Sequence, residues 1–130
     1  VALASHILEH VEPAEPRAIY IEGYSFGHNH AGQRWLVEFG GVLRWHLVDV
    51  CRVVEVPPAT LKKFVTGKGN SKKETMLAHI ASRWGRVFDN ADLGDAFGLY
   101  RLGLVAEGIV EADNAAQREA VAKLSTDRTR

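Results

Sequence analysis

Two short runs of β-branched and aromatic residues constrain the fold of this chain more than any other feature. The first, Ala18–Glu22, reads AIYIE, and the second, Arg52–Val56, reads RVVEV. Such runs are typical of buried strands. A helical pattern over Gln33–Val50 lies between them, and strands joined by a helical crossover pair in parallel. The sequence therefore predicts an α/β fold in which helices cover a sheet.

The other segments are predicted to be mainly helical. Helices are expected over Ala2–Val11, ending before Glu12-Pro13, and over Ala59–Val65. A further helix is expected from a cap at Asn70 or Ser71, with Glu74 in capping-box spacing, to about Trp84. The last two are expected over Asp92–Leu104 and, as a polar peripheral helix, over Glu111–Leu124. Two strands are too few for a covered sheet, and the chain starts on a helix without a methionine. We therefore expect roughly 25–50 further residues of strands before Val1.

Composition excludes several classes of protein. The chain has 130 residues, 46% hydrophobic and 25% charged, with a net charge of zero, which fits one globular domain. No apolar run approaches the roughly 20 residues of a membrane span, and no signal peptide is recognisable. The single cysteine, Cys51, lies in an apolar run and predicts a reducing compartment, the cytoplasm.

Three carboxylates stand in positions suited to a metal ion. Glu22 ends the first strand, where α/β sheets place ligands. Asp92 and Asp95 lie three residues apart at the start of a helix, so their side chains share one face at about 5–6 Å. Hard ions such as Mg²⁺ take oxygen ligands. The alternatives are that Glu22 is a solvated strand end, Asp92 an N-cap and Asp95 an ordinary first-turn acid.

The segment 62–73 carries five lysines and no acidic residue: Lys62, Lys63, Lys68, Lys72 and Lys73. It mixes these lysines with a glycine turn ahead of a helix start, and the backbone amides of such a turn bind phosphate readily. Lysines also supply the salt-dependent share of nucleic-acid affinity. The spacing of a Walker A loop is absent, which disfavours a nucleotide site. The alternative is a solvated turn.

Taken together, three ordered blocks resemble the RuvC-type crossover junction resolvases, and most of all their bacteriophage-encoded branch. The blocks are Ile-Tyr-Ile-Glu22, then EVPPATLKKFVTGKGNSKK up to Lys73, then Asp92-Leu-Gly-Asp95-Ala. The similarity runs from about Ala2 to Gly103. Each block alone is weak, and their combination in this order is fairly specific.

This resemblance implies a ribonuclease H-like three-layer fold, a mixed sheet with helices on both faces, over residues 1–106, followed by a C-terminal helical tail over 107–130. It further implies a homodimer that cuts branched DNA with Mg²⁺ or Mn²⁺ in the cytoplasm, that of a bacterial host if the protein is phage-encoded. No membrane partner is expected.

The same resemblance assigns the site residues. Glu22, Asp92 and Asp95 would hold the metal. Lys62 and Lys73, with Lys72 a close rival, would act on the phosphate. Tyr24 and Phe26, and less firmly His28 and His30, would contact the junction centre, and the DNA-binding set is completed by Lys63, Lys68 and Lys72. The family's first strand carries another catalytic aspartate that no residue here matches, so we expect that strand in the full protein.

The leading hypothesis is thus an endonuclease in which water attacks the phosphodiester. One alternative is a broader nuclease of the same fold, acting on flaps, forks or RNA–DNA hybrids, which a panel of substrates would distinguish. Another is a non-catalytic DNA-binding module, which a first strand without an aspartate would favour. Substrate choice is not readable from the sequence, because such proteins recognise shape and backbone more than base edges.

Overall fold

A computed structural model describes residues 2–23 and 41–126. The elements in chain order are α1 (Ala2–Ala14), β1 (Ala18–Glu22), α2 (41–47), β2 (Arg52–Val56), α3 (Pro58–Thr66), α4 (Lys73–Trp84), α5 (Ala91–Ala106) and α6 (Ala115–Thr126). The chain divides into two compact units, Val1–Glu55 and Val56–Arg130. Each unit is described by itself.

The two predicted strands are confirmed, with the same bounds, and within the described ranges they pair in parallel as a two-stranded sheet. In β2, Val54 and Val56 are buried and alternate with the exposed Glu55, the period expected of a strand. The predicted α/β class is therefore confirmed. The mixed sheet with helices on both faces remains a prediction.

The helix predicted over Gln33–Val50 is confirmed for residues 41–47, and a turn follows over 48–50. Its part before residue 41, with Trp35, lies outside the described residues. Leu47 is buried, whereas Val42, Trp45 and Val48 are 38%, 75% and 58% exposed. Val42 and Trp45 in α2, and Val48 just after it, therefore present an apolar face to solvent.

The predicted end of α1 is wrong. The helix continues to Ala14 with Pro13 inside its last turn, where the missing proline N–H removes a single helical hydrogen bond. The left-handed residue after the helix is Glu15, with φ of 47°. A residue in this conformation commonly terminates a helix, so it is Glu15, and not the proline, that terminates α1 after Ala14.

The second unit is a helical assembly around α3. This helix packs against α4, α5 and α6. The buried apolar side chains come from all four helices: Leu61, Phe64, Val65, Met76, Ile80, Leu102, Ala120 and Leu124. Burial of each large apolar side chain contributes about 1.5–3 kcal/mol.

Trp84 belongs to an aromatic cluster at the edge of this core. Its ring stacks on Phe64 at a centroid distance of 6.5 Å and meets Phe97 edge-on at 5.8 Å. The Arg101 guanidinium lies 5.4 Å above the Trp84 ring centre. The helix that ends at Trp84 is thereby tied to both α3 and α5.

The predicted cap of α4 is wrong, whereas its predicted end at Trp84 is confirmed. Lys72 occupies the N-cap position and makes no side-chain capping bond. The Ser71 hydroxyl is engaged elsewhere, since it donates to the Lys68 carbonyl at 2.7 Å and hydrogen-bonds to the Thr66 hydroxyl. The turn between α3 and α4 is closed by these two hydroxyl groups.

The last helix begins at Ala115, later than the predicted Glu111, and it is not merely peripheral. Gln117, Ala120 and Leu124 are buried, and they fall on one helix face that packs against α3. The predicted division into residues 1–106 and a C-terminal tail over 107–130 remains a prediction.

Candidate metal and phosphate site

Asp92 and Asp95 lie in the first two turns of α5, and neither is its N-cap. Asn90 caps this helix, because its side-chain oxygen accepts hydrogen bonds from the backbone N–H of Asp92 at 2.7 Å and of Leu93 at 3.4 Å. The alternative interpretation of Asp92 as a cap is therefore wrong. The Asp92 side chain is exposed and that of Asp95 is half-buried.

The electrostatic surroundings of Asp95 bring four predicted site residues together. Burial raises the pKa of the Asp95 carboxyl, and the negative charge of Asp92 raises it further, whereas the positive charges of Lys62 and Lys73 lower it. The net shift is upward. The charges of Asp92, Lys62 and Lys73, which are carried by α5, α3 and α4, thus each act on the Asp95 carboxyl.

The two lysines whose charges act on Asp95 lie on different helices. Lys62 is half-buried on α3, and Lys73 is the first residue of α4. Of the rivals Lys72 and Lys73, it is Lys73 whose charge affects the pKa of Asp95. The assignment of Lys73 or Lys72 as the site lysine remains a prediction.

The remaining predicted DNA-binding lysines occupy varied surroundings. Lys63 donates from its ammonium to the Glu119 carboxylate on α6 at 2.7 Å. This contact lowers the pKa of Glu119 through the hydrogen bond and the charge of Lys63. Lys68 and Lys72 are exposed in the turn that precedes α4. Tyr24, Phe26, His28 and His30 lie outside the described residues.

Glu22 ends β1 in the first unit, as predicted, and its residue is exposed. A second carboxylate lies at the same end of the sheet. A Cβ built on Gly23 would lie 2.8 Å from Glu55 Oε1, so the Glu55 side chain adjoins the backbone just after Glu22. Arg44 Nε lies 3.6 Å from Glu55 Oε2.

Sequence reasoning missed Glu55. The available signal was its place near the end of the neighbouring parallel strand, where a carboxylate comes to lie beside the end of β1.

The donor chemistry of the α5 pair suits a hard divalent cation. Burial, and to a smaller extent repulsion from Asp92, raises the pKa of the Asp95 carboxyl, and an ion with oxygen ligands would relieve this repulsion. Among the described residues, no group of three or more His, Cys, Asp or Glu side chains is placed to hold a metal. The predicted set of Glu22 with Asp92 and Asp95 remains a prediction.

Cys51 fits the interpretation as an unreactive thiol. It is half-buried, and burial raises the pKa of its thiol, which the neighbouring Arg52 charge lowers to a smaller extent. A raised pKa leaves less thiolate at neutral pH.

The described elements form a mixed α/β protein with a RuvC-like fold. The structure of RuvC from Thermus thermophilus matches it with a TM-score of 0.59 at 18% sequence identity, over 96% of this chain and 68% of that chain. No protein-family model matches the sequence, and neither does any curated protein. In the described ranges, no helix is both long and apolar enough to cross a membrane.

Proposed function

We propose that this protein is a divalent-metal-dependent endonuclease that cleaves branched DNA such as Holliday junctions. The observation that carries the proposal is the group of two carboxylates and two lysines around Asp95. These residues come from three helices of the second unit, and all four were predicted from the sequence as site residues. The RuvC-like fold adds support.

Each side chain has a definite task in this proposal. Glu22, Asp92 and Asp95 would hold Mg²⁺ or Mn²⁺, which supplies an activated water and stabilises the leaving oxygen of a phosphodiester. Lys62 and Lys73 would pair with the phosphate that is cut. Before DNA binds, their positive charges favour the ionised form of Asp95 against the effect of its burial.

The DNA-binding surface is proposed to extend from this site along the lysine segment. Lys63, Lys68 and Lys72 would contact backbone phosphates, and Tyr24 and Phe26 would stack at the junction centre. Phosphate contacts position a protein on DNA without reading its sequence. Selectivity for branched DNA would then come from shape.

The active species is proposed to be a homodimer in the cytoplasm of a bacterial host. Supporting the dimer, Val42 and Trp45 of α2 and Val48 in the turn after it have exposed apolar side chains. A symmetric dimer would cover such a face, since contiguous exposed apolar surface commonly marks an interface.

A cleavage panel tests the proposal. The full-length protein is incubated with Mg²⁺ and with four-way junctions, flaps, splayed forks, RNA–DNA hybrids and linear duplex, and binding is measured in parallel with Ca²⁺ in place of Mg²⁺. We expect cleavage of branched DNA, lost in the variants Glu22→Gln and Asp95→Asn without loss of binding. Undiminished cleavage by either variant would exclude that residue as a metal ligand.

The same panel separates the alternatives. Equal cutting of flaps, forks and hybrids would indicate a broader nuclease of this fold. Tight binding to junctions with no cutting of any substrate would indicate a non-catalytic DNA-binding module.

A further inference from the structure

Gly98 lies where α5 packs closely against α3. A Cβ built on this buried glycine would lie 3.1 Å from Val65 Cγ2 and 3.2 Å from Leu61 Cδ1. Both distances are shorter than the roughly 3.5–4.0 Å of an optimal carbon–carbon contact. Val65 and Leu61 are 0% and 1% exposed, so neither has solvent into which it could retreat. A side chain at position 98 therefore requires Val65 and Leu61 to shift by a few tenths of an ångström, and because both are enclosed we expect α3 and α5 to move apart.

This contact lies beside the charged group described above. Gly98 follows Asp95 by three residues, so the two share a face of α5. On α3, Leu61 directly precedes Lys62. In support of this proximity, the charge of Lys62 lowers the pKa of the Asp95 carboxyl. A change in the spacing of α3 and α5 at Gly98 would therefore also change the spacing of the two charged groups.

We infer that Gly98 is a positioning residue, whose missing side chain lets α5 lie close enough to α3 to hold the Lys62 ammonium near the Asp95 carboxylate. The inference rests on the proposed function for its catalytic meaning, because the same side chains are involved. It adds a residue that touches neither metal nor DNA.

Gly94 provides a matched control on the same helix. It faces α4, and a Cβ there would lie 2.6 Å from Leu77 Cδ2. That atom is the far end of a flexible and only half-buried side chain, which can turn away. Gly94→Ala therefore adds the same methyl group to α5 without widening its contact with α3.

The test is a double-mutant cycle on folding, which needs neither metal nor DNA. Lys62→Gln, Asp95→Asn and their combination are unfolded with urea in four backgrounds: wild type, Gly98→Ala, Gly94→Ala and the double change Val65→Ala with Gly98→Ala. In the wild-type background the two changes are expected to be coupled by about threefold or more in the folding equilibrium constant. The coupling should fall towards onefold with Gly98→Ala, persist with Gly94→Ala, and return when Val65→Ala makes room.

Two results overturn the inference: no coupling in the wild-type background, or coupling that Gly98→Ala leaves unchanged. If Gly98→Ala does not fold, Val65→Ile takes its place, because it fills the same gap from α3. For Val65→Ile, loss of the coupling is again the expected result, and unchanged coupling would again contradict the inference.

Cleavage kinetics separate this inference from the proposed function. Gly98→Ala should lower kcat about tenfold or more, because small displacements of catalytic groups are costly, and should leave KM within about twofold. Adding Val65→Ala to Gly98→Ala should restore kcat. If the wild-type protein cuts nothing while the coupling pattern holds, the proposed function fails and the role of Gly98 in spacing stands. If the wild-type protein cuts and the coupling survives Gly98→Ala, only the inference fails.

Discussion

At the scale of single residues, the half-buried Asp95 combines an unfavourable charge with a proposed chemical role. Its raised pKa means that the folded protein resists ionisation of this carboxyl. Strained or repelling groups of this kind are common at functional sites, where activity and stability oppose each other.

Asp95→Asn should therefore stabilise the fold while abolishing cleavage. The amide keeps the shape of the side chain and removes both the cost of burying a charge and the repulsion from Asp92, so we expect the free energy of unfolding to rise by about 0.5 kcal/mol, a value reduced for partial solvent screening. Urea unfolding at neutral pH measures it. A loss of more than about 1 kcal/mol would show that the Asp95 charge stabilises the fold.

Single residues also show what could be predicted from the sequence and what could not. Asp92 and Asp95 were predicted because their type and spacing carry chemistry by themselves, whereas Lys62 was assigned from the resemblance to the RuvC-type resolvases. Ser71 and Glu55 were misjudged or missed, because their roles depend on partners that only the folded chain brings near: the Lys68 carbonyl and the backbone at Gly23. The local sequence pattern identifies such residues as polar but does not determine which groups they contact.

At the scale of secondary-structure elements, the first turn of α5 depends on Asn90. Asn90→Ala removes a cap that accepts two backbone hydrogen bonds, and such changes cost about 1 kcal/mol. Because this turn carries Asp92, its fraying should lower kcat as well as stability. Asn114→Ala is the control, since Asn114 accepts from the Gln117 N–H at the start of α6. It should cost similar stability and leave kcat unchanged; equal effects on kcat would contradict this expectation.

The pairing of α3 with α6 through Lys63 and Glu119 should limit how strongly Lys63 binds DNA. Glu119→Gln frees the ammonium group, so junction binding should tighten and the slope of log affinity against log salt should steepen by about 0.9. Binding is followed by fluorescence anisotropy from low to moderate salt.

Glu111→Gln, which removes an equal charge from an exposed position, is the control for this prediction. It should leave the slope nearly unchanged, and Lys63→Gln should cancel the effect of Glu119→Gln. A slope that does not respond to Glu119→Gln would show that Lys63 makes no phosphate contact.

The pH dependence of this pair follows from the lowered pKa of Glu119. The contribution of the pair to stability is present above the pKa that this carboxyl has in the unfolded chain. It is lost as the pH falls through the lower, folded value.

Elements were predicted better than their ends. β1, β2 and the end of α4 follow from local runs of residues, whereas α1 passes through Pro13 and stops at Glu15. The buried face of α6 was also missed, because Gln117 and Ala120 read as polar or neutral until α3 is packed against them.

At the scale of the whole molecule, the proposed dimer concerns the apolar face of α2. Trp45→Glu should yield a monomer at concentrations where the wild-type protein is a dimer, because a charge cannot be buried in an apolar interface without a partner. Sedimentation equilibrium measures the mass. Val87→Glu, at a residue 83% exposed in the second unit, should leave the dimer intact. A Trp45→Glu variant that remains dimeric would exclude this face as the interface.

The aromatic cluster around Trp84 gives the second unit its own optical signal. An indole packed between phenylalanine rings and beneath a guanidinium should emit at shorter wavelengths and with a different lifetime than one that is 75% exposed, as Trp45 is. With Trp35 and Trp45 replaced by phenylalanine, fluorescence would follow the loosening of the four-helix unit alone. Comparing this fluorescence with circular dichroism, which averages over the whole chain, would then show whether the two halves of the chain melt independently or together.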